Sequence, residues 1–531
     1  MGTQTVVDVR PKRVHPTTLA EIVRLVTGHS AQPIAGVSVT GVANATRLIQ
    51  PGDLFAALPG GRTHGAKFAG DAQQHGAVAV LTDEEGATLL PETVHIPVIV
   101  CADPRRHLGA VSALIYGNTR SRLTTIGVTG TNGKTTVTYF VEAILTEAGI
   151  VTGMSATPER HVGSTIVGSG LTTPEAPVLQ GMIARMRELG AQALSLEVSA
   201  QAVSKHRIGG IHFDAVGFMN LSAEHLDEYH DMDTYFRAKR GLVTPEYADR
   251  AVVSLADPWG QKLVEEAEIP TQTLVAQWWP QSALSASADW VVGDFADTEM
   301  GCRCTVTDLY GHRFEISADL PGRHVAVDAA MAVALVATAG VPRDAIDAAL
   351  AHGALERPYI PGRLEQMSGP GAPLVIVDYA HTPTAMAETL VELRRRTPGR
   401  LITAFGADGG RDPFKRPGMA QAAAQNADLT IICDAHPRRE DPAQIRAQLL
   451  EAARAVPGAE VLEIPDPASA IDYAVGRLKP GDTFVVLGPG DEDYRAVGDR
   501  EIPYSARNEA RRALAEHGWP VSQPVERMVD Q

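Results

Sequence analysis

The sequence predicts an α/β fold in several domains, with a phosphate loop in the first third of the chain and a doubly wound parallel sheet at the C-terminal end. Three observations predict it. Short apolar runs alternate with helix-length amphipathic segments through most of the chain. A glycine-rich turn, Gly127-Val128-Thr129-Gly130-Thr131-Asn132-Gly133-Lys134-Thr135-Thr136, joins a strand-like stretch to a helix-like one. After Leu374, polar loops follow each strand-like run, where open parallel sheets gather their ligands. At 531 residues the chain exceeds a single core, and roughly two to four domains are the natural division.

Composition narrows the function classes. With 44% hydrophobic and 21% charged residues the chain reads as an ordinary soluble globular protein. A net charge of −16 argues against nucleic acid as a partner, because phosphate backbones need clustered Lys and Arg. Cys101, Cys302, Cys304 and Cys433 are too few for a disulfide framework, and Cys302-x-Cys304 reads as buried or idle thiols before a metal site. The N-terminus has no signal-like apolar region and no run approaches a bilayer-spanning length, so a cytoplasmic location without membrane insertion is expected.

In chain order, strands are expected at Val78–Leu81 and Val98–Cys101, a break at 116–122, a strand at Leu123–Val128 and a helix at Val137–Glu147. Gln192–Glu197 and Ala215–Asn220 read as strands, Asp231–Thr244 as a helix, and Trp290–Phe295 and Arg303–Leu309 as alternating strands. Helices at Ala326–Gly340 and Arg343–Ala351 lead to a linker containing Pro358, Pro361 and Gly362. Strands at Leu374–Val377, Leu401–Phe405, Leu429–Cys433 and Thr483–Leu487 then alternate with helices at Pro383–Arg396 and Pro442–Ala455. Arg394-Arg395-Arg396 reads as a solvated helix end, where cations suit the helix dipole.

The glycine-rich turn carries the sharpest chemistry. Backbone N–H groups at such a turn, backed by the positive end of a helix, cradle phosphate. Lys134 would neutralise outer phosphates and the Thr135 hydroxyl would hold Mg²⁺. The strict Walker spacing fails by one residue, since position 128 is Val. Glu197 ends an apolar strand, where a carboxylate can hold Mg²⁺ or simply close the strand. His225 and Asp227 follow another strand and could ligate a second metal, whereas a lone His is more often structural. Lys239 on a helix would ordinarily be a surface residue. Further clusters are Asp378-Tyr379-Ala380-His381, the group around Arg411, Lys415 and Arg416, then His436-Pro437-Arg438 and Gly488-Pro489-Gly490-Asp491-Glu492. Each alone is weak. Together, at strand ends of an α/β chain, they favour an enzyme.

With these motifs in place, the chain resembles the Mur ligase family, and within it the MurE-type ligases of peptidoglycan synthesis. The resemblance covers nearly the whole length. It rests on Gly130-Thr-Asn-Gly-Lys-Thr-Thr136, Glu197-Val-Ser199, His225-Leu-Asp227, the helix of Lys239, Pro361-Gly-Arg363 and Asp378-Tyr-Ala-His-Thr-Pro383. It implies three domains: a UDP-binding domain over 1–120, a central P-loop ATPase α/β domain over 121–357, and a Rossmann-like doubly wound, amino-acid-binding domain over 358–531. It also implies an ATP-dependent amide ligase joining a diamino acid, most simply meso-diaminopimelate, to UDP-MurNAc-L-Ala-D-Glu through an acyl phosphate, as a monomer using Mg²⁺.

The resemblance also distributes roles. Lys134, Glu197, His225 and Lys239 would be catalytic, with Thr135, Glu197, His225 and a carbamylated Lys239 as metal ligands. Gly130, Thr131, Asn132, Gly133, Lys134, Thr135, Thr136, Asp378 and His381 would bind ATP. Thr46, Arg47, His64, Thr172, Thr173, Ser199 and Arg207 would contact the UDP-muramoyl peptide. Arg411, His436, Arg438, Gly488 and Glu492 would take the amino acid. A guanidinium such as Arg438 is the natural clamp for a distal carboxylate, which lysine lacks.

The chain departs from the family pattern at Ala45, at Ala200-Gln201, at Ser254, at His324 to Asp328, at Ala435-His436 and at Pro489 to Asp491. Three alternatives stay open at this point: a lysine-adding enzyme, a MurE-like paralogue with another acceptor, and a nucleotide-binding scaffold without turnover.

Overall fold

The computed structural model describes residues 9–28, 36–61, 63–120, 123–280, 287–299 and 301–523. Three sheets rich in parallel strands follow one another along it. The first pairs Gly41–Ala43, Asp53–Ala56, Ala79–Thr82 and Val98–Val100 in chain order, all parallel. A helix at Pro104–Ile115 and a 3-10 turn at Asn118–Arg120 lead out of it; residues 121 and 122 lie outside the described residues.

Among the described residues, eleven strands make the central sheet. Its parallel part runs in space as Thr152–Ser155, Ala193–Glu197, Thr124–Thr129, Ala215–Phe218, Ala251–Ser254, Thr271–Ala276 and Trp290–Asp297. Antiparallel strands extend both edges: Glu159–Val162 and Thr165–Gly168 on one side, Cys302–Asp308 and Arg313–Ala318 on the other. Thr124–Thr129, buried on both faces, lies between the strands ending in Glu197 and Phe218. The loops carrying the phosphate turn, Glu197 and His225 therefore leave the same end of the sheet.

The helix after the phosphate turn spans Lys134–Glu147 and begins earlier than Val137, because the turn itself forms its first residues. It packs against Arg323–Thr338, a helix rich in Ala and Val and buried all round. The helix expected at 231–244 is shorter, Met232–Arg240. The Asp231 side chain caps its start by accepting from Thr234 N, and the chain leaves helical geometry after Gly241. Cys302 and Cys304 point to the same face of their strand and are buried in this core, with burial pushing both thiols up.

The C-terminal sheet runs Glu365–Gln366, Leu374–Asp378, Thr483–Leu487, Leu401–Phe405, Leu429–Ile432 and Val461–Glu463, with only the first strand antiparallel to its neighbour. Helices Pro383–Arg396, Lys415–Asn426, Pro442–Arg454, Pro467–Val475 and Ala506–Glu516 cover it. One buried apolar cluster includes Ile126 and Val128 of the central sheet together with Val485 and Leu487 of this one.

The Arg394–Arg396 reading needs correction. Arg396 donates to Thr298 O and Gly301 O and pairs with Asp297 at 2.9 Å, while Arg394 pairs with Asp428 at 2.6 Å. The end of this helix docks on the turn between Trp290–Asp297 and Cys302–Asp308 of the central sheet, with carbonyls and a carboxylate replacing water. Among the described residues no helix is long and apolar enough to cross a membrane.

Candidate active site

The phosphate loop is shaped by two glycines in left-handed or extended positive-φ geometry. Gly130 has φ 150° and Gly133, which starts the helix, has φ 84°. A Cβ at Gly133 would lie 2.5 Å from Asp328 Oδ1, so only glycine fits there. Asn220 fixes the loop from the next strand: its Oδ1 accepts from Asn132 N at 2.9 Å and its carbonyl accepts from Thr131 N at 2.9 Å. Lys134 Nζ donates to Thr131 O at 2.7 Å. Thr136 is buried in the first helical turn.

Thr135 Oγ1 donates to Glu197 Oε2 at 3.0 Å, and Glu197 is 1% exposed. The same oxygen accepts from Thr157 N at 2.8 Å and from Thr157 Oγ1 at 3.0 Å. Among the described residues the hydrogen bonds to this buried carboxylate come from neutral donors, which makes the Thr135–Glu197 pair suited to a hard cation with oxygen ligands. Arg363, from the linker into the C-terminal sheet, donates to Thr135 Oγ1 at 3.1 Å while its guanidinium lies 4.2 Å from the Tyr379 ring centre.

Lys239 is 1% exposed and donates to Gly130 O at 2.6 Å. Burial, reinforced by the Lys134 ammonium, pulls it well below the usual lysine range against the attraction of Glu224 and Glu197. That shift favours the neutral, nucleophilic amine, the form that adds carbon dioxide to give a carbamate. His225 sits beside it with φ 56°. Burial lowers the His225 pKa, helped by Lys239, His381 and Lys134 and opposed by Glu224. Glu224 itself is 6% exposed and faces His225 at 3.7 Å and His381 at 2.8 Å. Burial pushes its carboxyl up, but His225, His381 and Lys415 overcome this and hold it well below the usual carboxylate range. Among the described residues no three His, Cys, Asp or Glu side chains converge as a ready metal cluster, so a cation here would also need phosphate oxygens or a carbamate.

A second wall belongs to the first sheet and the edge of the central one. Arg207 Nε donates to Glu175 Oε1 at 2.8 Å, and Glu175 also accepts from Arg105 and Asn44, both at 3.3 Å. Thr173 is buried and donates to Glu197 O at 2.9 Å; the hydroxyls of Thr172 and Thr157 lie 3.1 Å apart. Ser199 caps the short helix Ala200–Ser204. Arg47, on the 3-10 turn Thr46–Leu48, reaches the cleft. His64 is 7% exposed and is held within its own sheet: Nδ1 accepts from Ala66 N and Nε2 donates to Asp83 at 3.1 Å.

The third wall belongs to the C-terminal sheet. Arg438, with φ 52°, donates to Asp408 Oδ2 at 3.1 Å. His436 accepts from Ala496 N at Nδ1 and donates to Glu492 at 2.8 Å. The hairpin Tyr494–Val497 and Arg500–Pro503 packs beside Arg438 through a bridge between Arg438 and Val497. Arg411 is exposed at the cleft, whereas Arg416 is 1% exposed and locked to Glu440 at 2.7 and 2.8 Å. Gly488 also lines the cleft. Asp378 is 6% exposed, and its two oxygens accept from Leu364 N and Ala380 N.

All three walls face one cleft of about 1360 Å³. It joins Arg47 and Arg207, Lys134 and Lys239, and Arg438 and Glu492 in a single space. That volume accommodates a nucleotide and further substrates side by side.

Sequence comparisons agree with this layout. The profile of the Mur ligase middle domain matches residues 128–336, that of the Mur ligase glutamate ligase domain matches 362–490, and that of the Mur ligase family catalytic domain matches 38–116. The UDP-N-acetylmuramyl-tripeptide synthetase of Leifsonia xyli subsp. xyli is 46% identical over 512 residues, covering 96% of this chain and 98% of that protein. The chain belongs to the Mur ligase family. The UDP-N-acetylmuramoyl-L-alanyl-D-glutamate--2,6-diaminopimelate ligase of Streptomyces avermitilis is 39% identical over 508 residues, covering 95% and 98% of the two chains. A solved structure of a ligase bearing that same name superposes with TM-score 0.63 at 26% identity, covering 95% of this chain and all of that one. The MurF ligase of Thermotoga maritima in complex with ADP, at 17% identity and TM-score 0.62 over 90% and 98%, shares the fold. As a Mur ligase, this protein is an ATP-dependent ligase.

Several residues of this Mur ligase site escaped sequence reading. Glu224 was visible beside His225, but nothing local marks it as the partner of His381, 157 residues away. Thr157, Glu159 and Arg160 lie on the antiparallel edge hairpin, whose mixed sequence gave no strand signal. Asp408 carries no motif and gains meaning only through Arg438.

Proposed function

We propose that this Mur ligase joins meso-diaminopimelate to the D-glutamyl side-chain carboxylate of UDP-MurNAc-L-Ala-D-Glu, with ATP consumed to ADP and phosphate. The observation that carries the reading is the single cleft in which Lys134, His225 and Lys239 share a space with Arg438 and Glu492, the buried Thr135–Glu197 pair lying next in chain to Lys134. The name and identity of the Streptomyces relative support it, and those of the Leifsonia relative support tripeptide synthesis without naming the amino acid.

In this reading the chain is a monomer of three domains: residues 1–120 hold the UDP-sugar, 121–357 hold ATP and 358–531 hold the amino acid. Lys134 and the N–H groups of residues 130–136 bind the triphosphate and spread its charge. The substrate carboxylate oxygen attacks the γ-phosphorus, ADP leaves, and the acyl phosphate forms. The amine of the diamino acid then adds to the acyl carbon, and phosphate departs from the tetrahedral intermediate with loss of a proton from nitrogen. Mg²⁺, when bound, supplies charge neutralisation among the crowded anions. Thr135 and Glu197 suit one ion, and His225 with a carbamylated Lys239 a second. Thr172, Thr173, Ser199 and Arg207 orient the muramoyl peptide, with Arg47 towards the UDP end. Arg438, Arg411 and Glu492 orient the diamino acid, with the cytoplasm as the place of work.

The test is incubation with ATP, Mg²⁺ and UDP-MurNAc-L-Ala-D-Glu and, separately, diaminopimelate, lysine and ornithine. Tripeptide product with diaminopimelate in clear preference is expected. Product only with lysine or another acceptor refutes the diaminopimelate assignment.

A further inference from the structure

Seven arginines among the described residues have a buried Nε without a hydrogen-bond partner: Arg160, Arg240, Arg396, Arg416, Arg438, Arg507 and Arg511. Six of them are neutralised by a carboxylate. Arg240 pairs with Glu266 and Glu268, Arg396 with Asp297, Arg416 with Glu440, Arg438 with Asp408, and Arg507 and Arg511 with Glu365. Among the described residues Arg160 has no such partner in any ion pair, and it is 9% exposed. Its guanidinium donates only to Ser169 Oγ at 3.2 Å and Leu171 O at 3.3 Å, both uncharged.

The acids nearest in sequence are committed elsewhere. Glu159 points to the opposite face of its strand, where it accepts from Tyr139 Oη at 3.0 Å and meets His161 at 3.5 Å. Glu142 pairs with His161 at 2.8 Å. Glu197 is held by Thr135 and Thr157. Burial alone accounts for a pull of the Arg160 guanidinium down to about 10. A cation withdrawn from water without a countercharge is unfavourable, and an arriving anion would relieve that cost.

Arg160 lines the substrate cleft. Its strand begins just after Thr157, the residue that clasps Glu197, and its guanidinium braces the loop that runs into Thr172 and Thr173. Arg207, the other arginine of this wall, is already engaged by Glu175. The acid substrate of the reaction proposed above carries two carboxylates on one glutamyl residue. One must be activated beside Lys134, and the other enters the same cleft as a full negative charge.

We propose that Arg160 is the receptor for the glutamyl carboxylate that is not activated. This rests on the ligase reading above and adds a binding residue to it. A guanidinium offers paired donors to a carboxylate; Nη2 holds Ser169 and Leu171 and Nε is buried, which leaves Nη1 as the donor to spare. The contact fixes which of the two carboxylates faces the phosphate loop, so Arg160 acts on the regiochemistry of the new amide as well as on affinity.

The test is calorimetric binding of UDP-MurNAc-L-Ala-D-Glu and of its D-isoglutamine analogue, in which the non-activated carboxylate is a carboxamide, to the full-length protein and to Arg160→Gln. The unaltered protein is expected to favour the carboxylate form by about ten-fold or more, and R160Q to bring the two forms within about two-fold with ATP binding unchanged. A carboxylate-to-carboxamide ratio that stays the same in R160Q overturns the proposal and reduces Arg160 to a brace for the loop. Equal weakening of UDP-MurNAc without its peptide also overturns it, by moving the contact to the diphosphate. Should R160Q fail to fold, Arg160→Lys gives the same reading: selective weakening of the carboxylate form supports the proposal, and equal weakening of both forms overturns it. If the unaltered protein binds neither form, the ligase reading falls together with this one. If it binds and the ratio is untouched by the variants, this one falls alone.

Discussion

His381, on the loop after Leu374–Asp378, donates from Nε2 to Glu224 Oε1 at 2.8 Å, and so ties the C-terminal sheet to the strand end that carries His225. Its Nδ1 faces Tyr379 O at 2.7 Å, so both ring nitrogens meet acceptors. His381→Ala is expected to leave Glu224 buried with one partner fewer, at a cost of roughly 1–3 kcal/mol. The thermal unfolding midpoint of the ligand-free protein should fall and its small-angle scattering should broaden. Unchanged melting and scattering would remove the bond from any role in holding the two sheets together.

A pH effect is expected at the edge hairpin that borders the cleft. Burial alone would lower the His161 pKa, but Glu142 and Glu159 reverse this and take it up to about 9 from an ordinary 6.5. A value raised in the folded state means that the stabilisation is complete below about 6.5 and is lost as pH rises through 9. Denaturant unfolding should therefore show stability declining across that window, by roughly 3 kcal/mol at most. His161→Gln should flatten the slope, and an identical slope in that variant would refute the assignment.

Lys239→Ala should abolish turnover, and added bicarbonate should not restore it, because alanine has no amine to carry a carbamate. Rates of phosphate release and of product formation check this. Full activity in the variant would exclude Lys239 from metal holding.

Arg438→Ala should raise KM for diaminopimelate by about 10- to 100-fold, the usual loss for a charge-assisted contact, while any slow use of lysine stays the same. An equal loss with both amino acids would refute the carboxylate clamp.

Gly133→Ala combines a strained positive φ with a Cβ placed 2.5 Å from Asp328 Oδ1. The backbone conformation alone costs about 1–2 kcal/mol, and displacing the carboxyl adds to it. ATP binding by calorimetry should drop at least ten-fold; wild-type affinity would show that the loop has room to relax.

What could be read from the sequence is what is encoded locally. The phosphate turn, the strand Leu401–Phe405 and the helix Pro383–Arg396 combine apolar periodicity with glycine or capping signals within a few residues, and they occupy the expected positions. The hairpins Glu159–Gly168 and Tyr494–Pro503 lack such signals, since their pairing and the walls they pack on define them. The pairs Glu224–His381, Arg438–Asp408 and Arg363–Thr135 join positions 30 to 228 residues apart. Arg396 misled for the same reason: a basic helix end looks solvated until the turn it meets is known.

The short bond from Lys134 Nζ to its own loop at Thr131 O bears on what a nucleotide must do on arrival. The ammonium carries three N–H donors, so this bond restrains Lys134 over its loop and still leaves two donors for phosphate oxygens. That part of the side-chain ordering is in place before any triphosphate binds, and its cost is absent from the binding free energy.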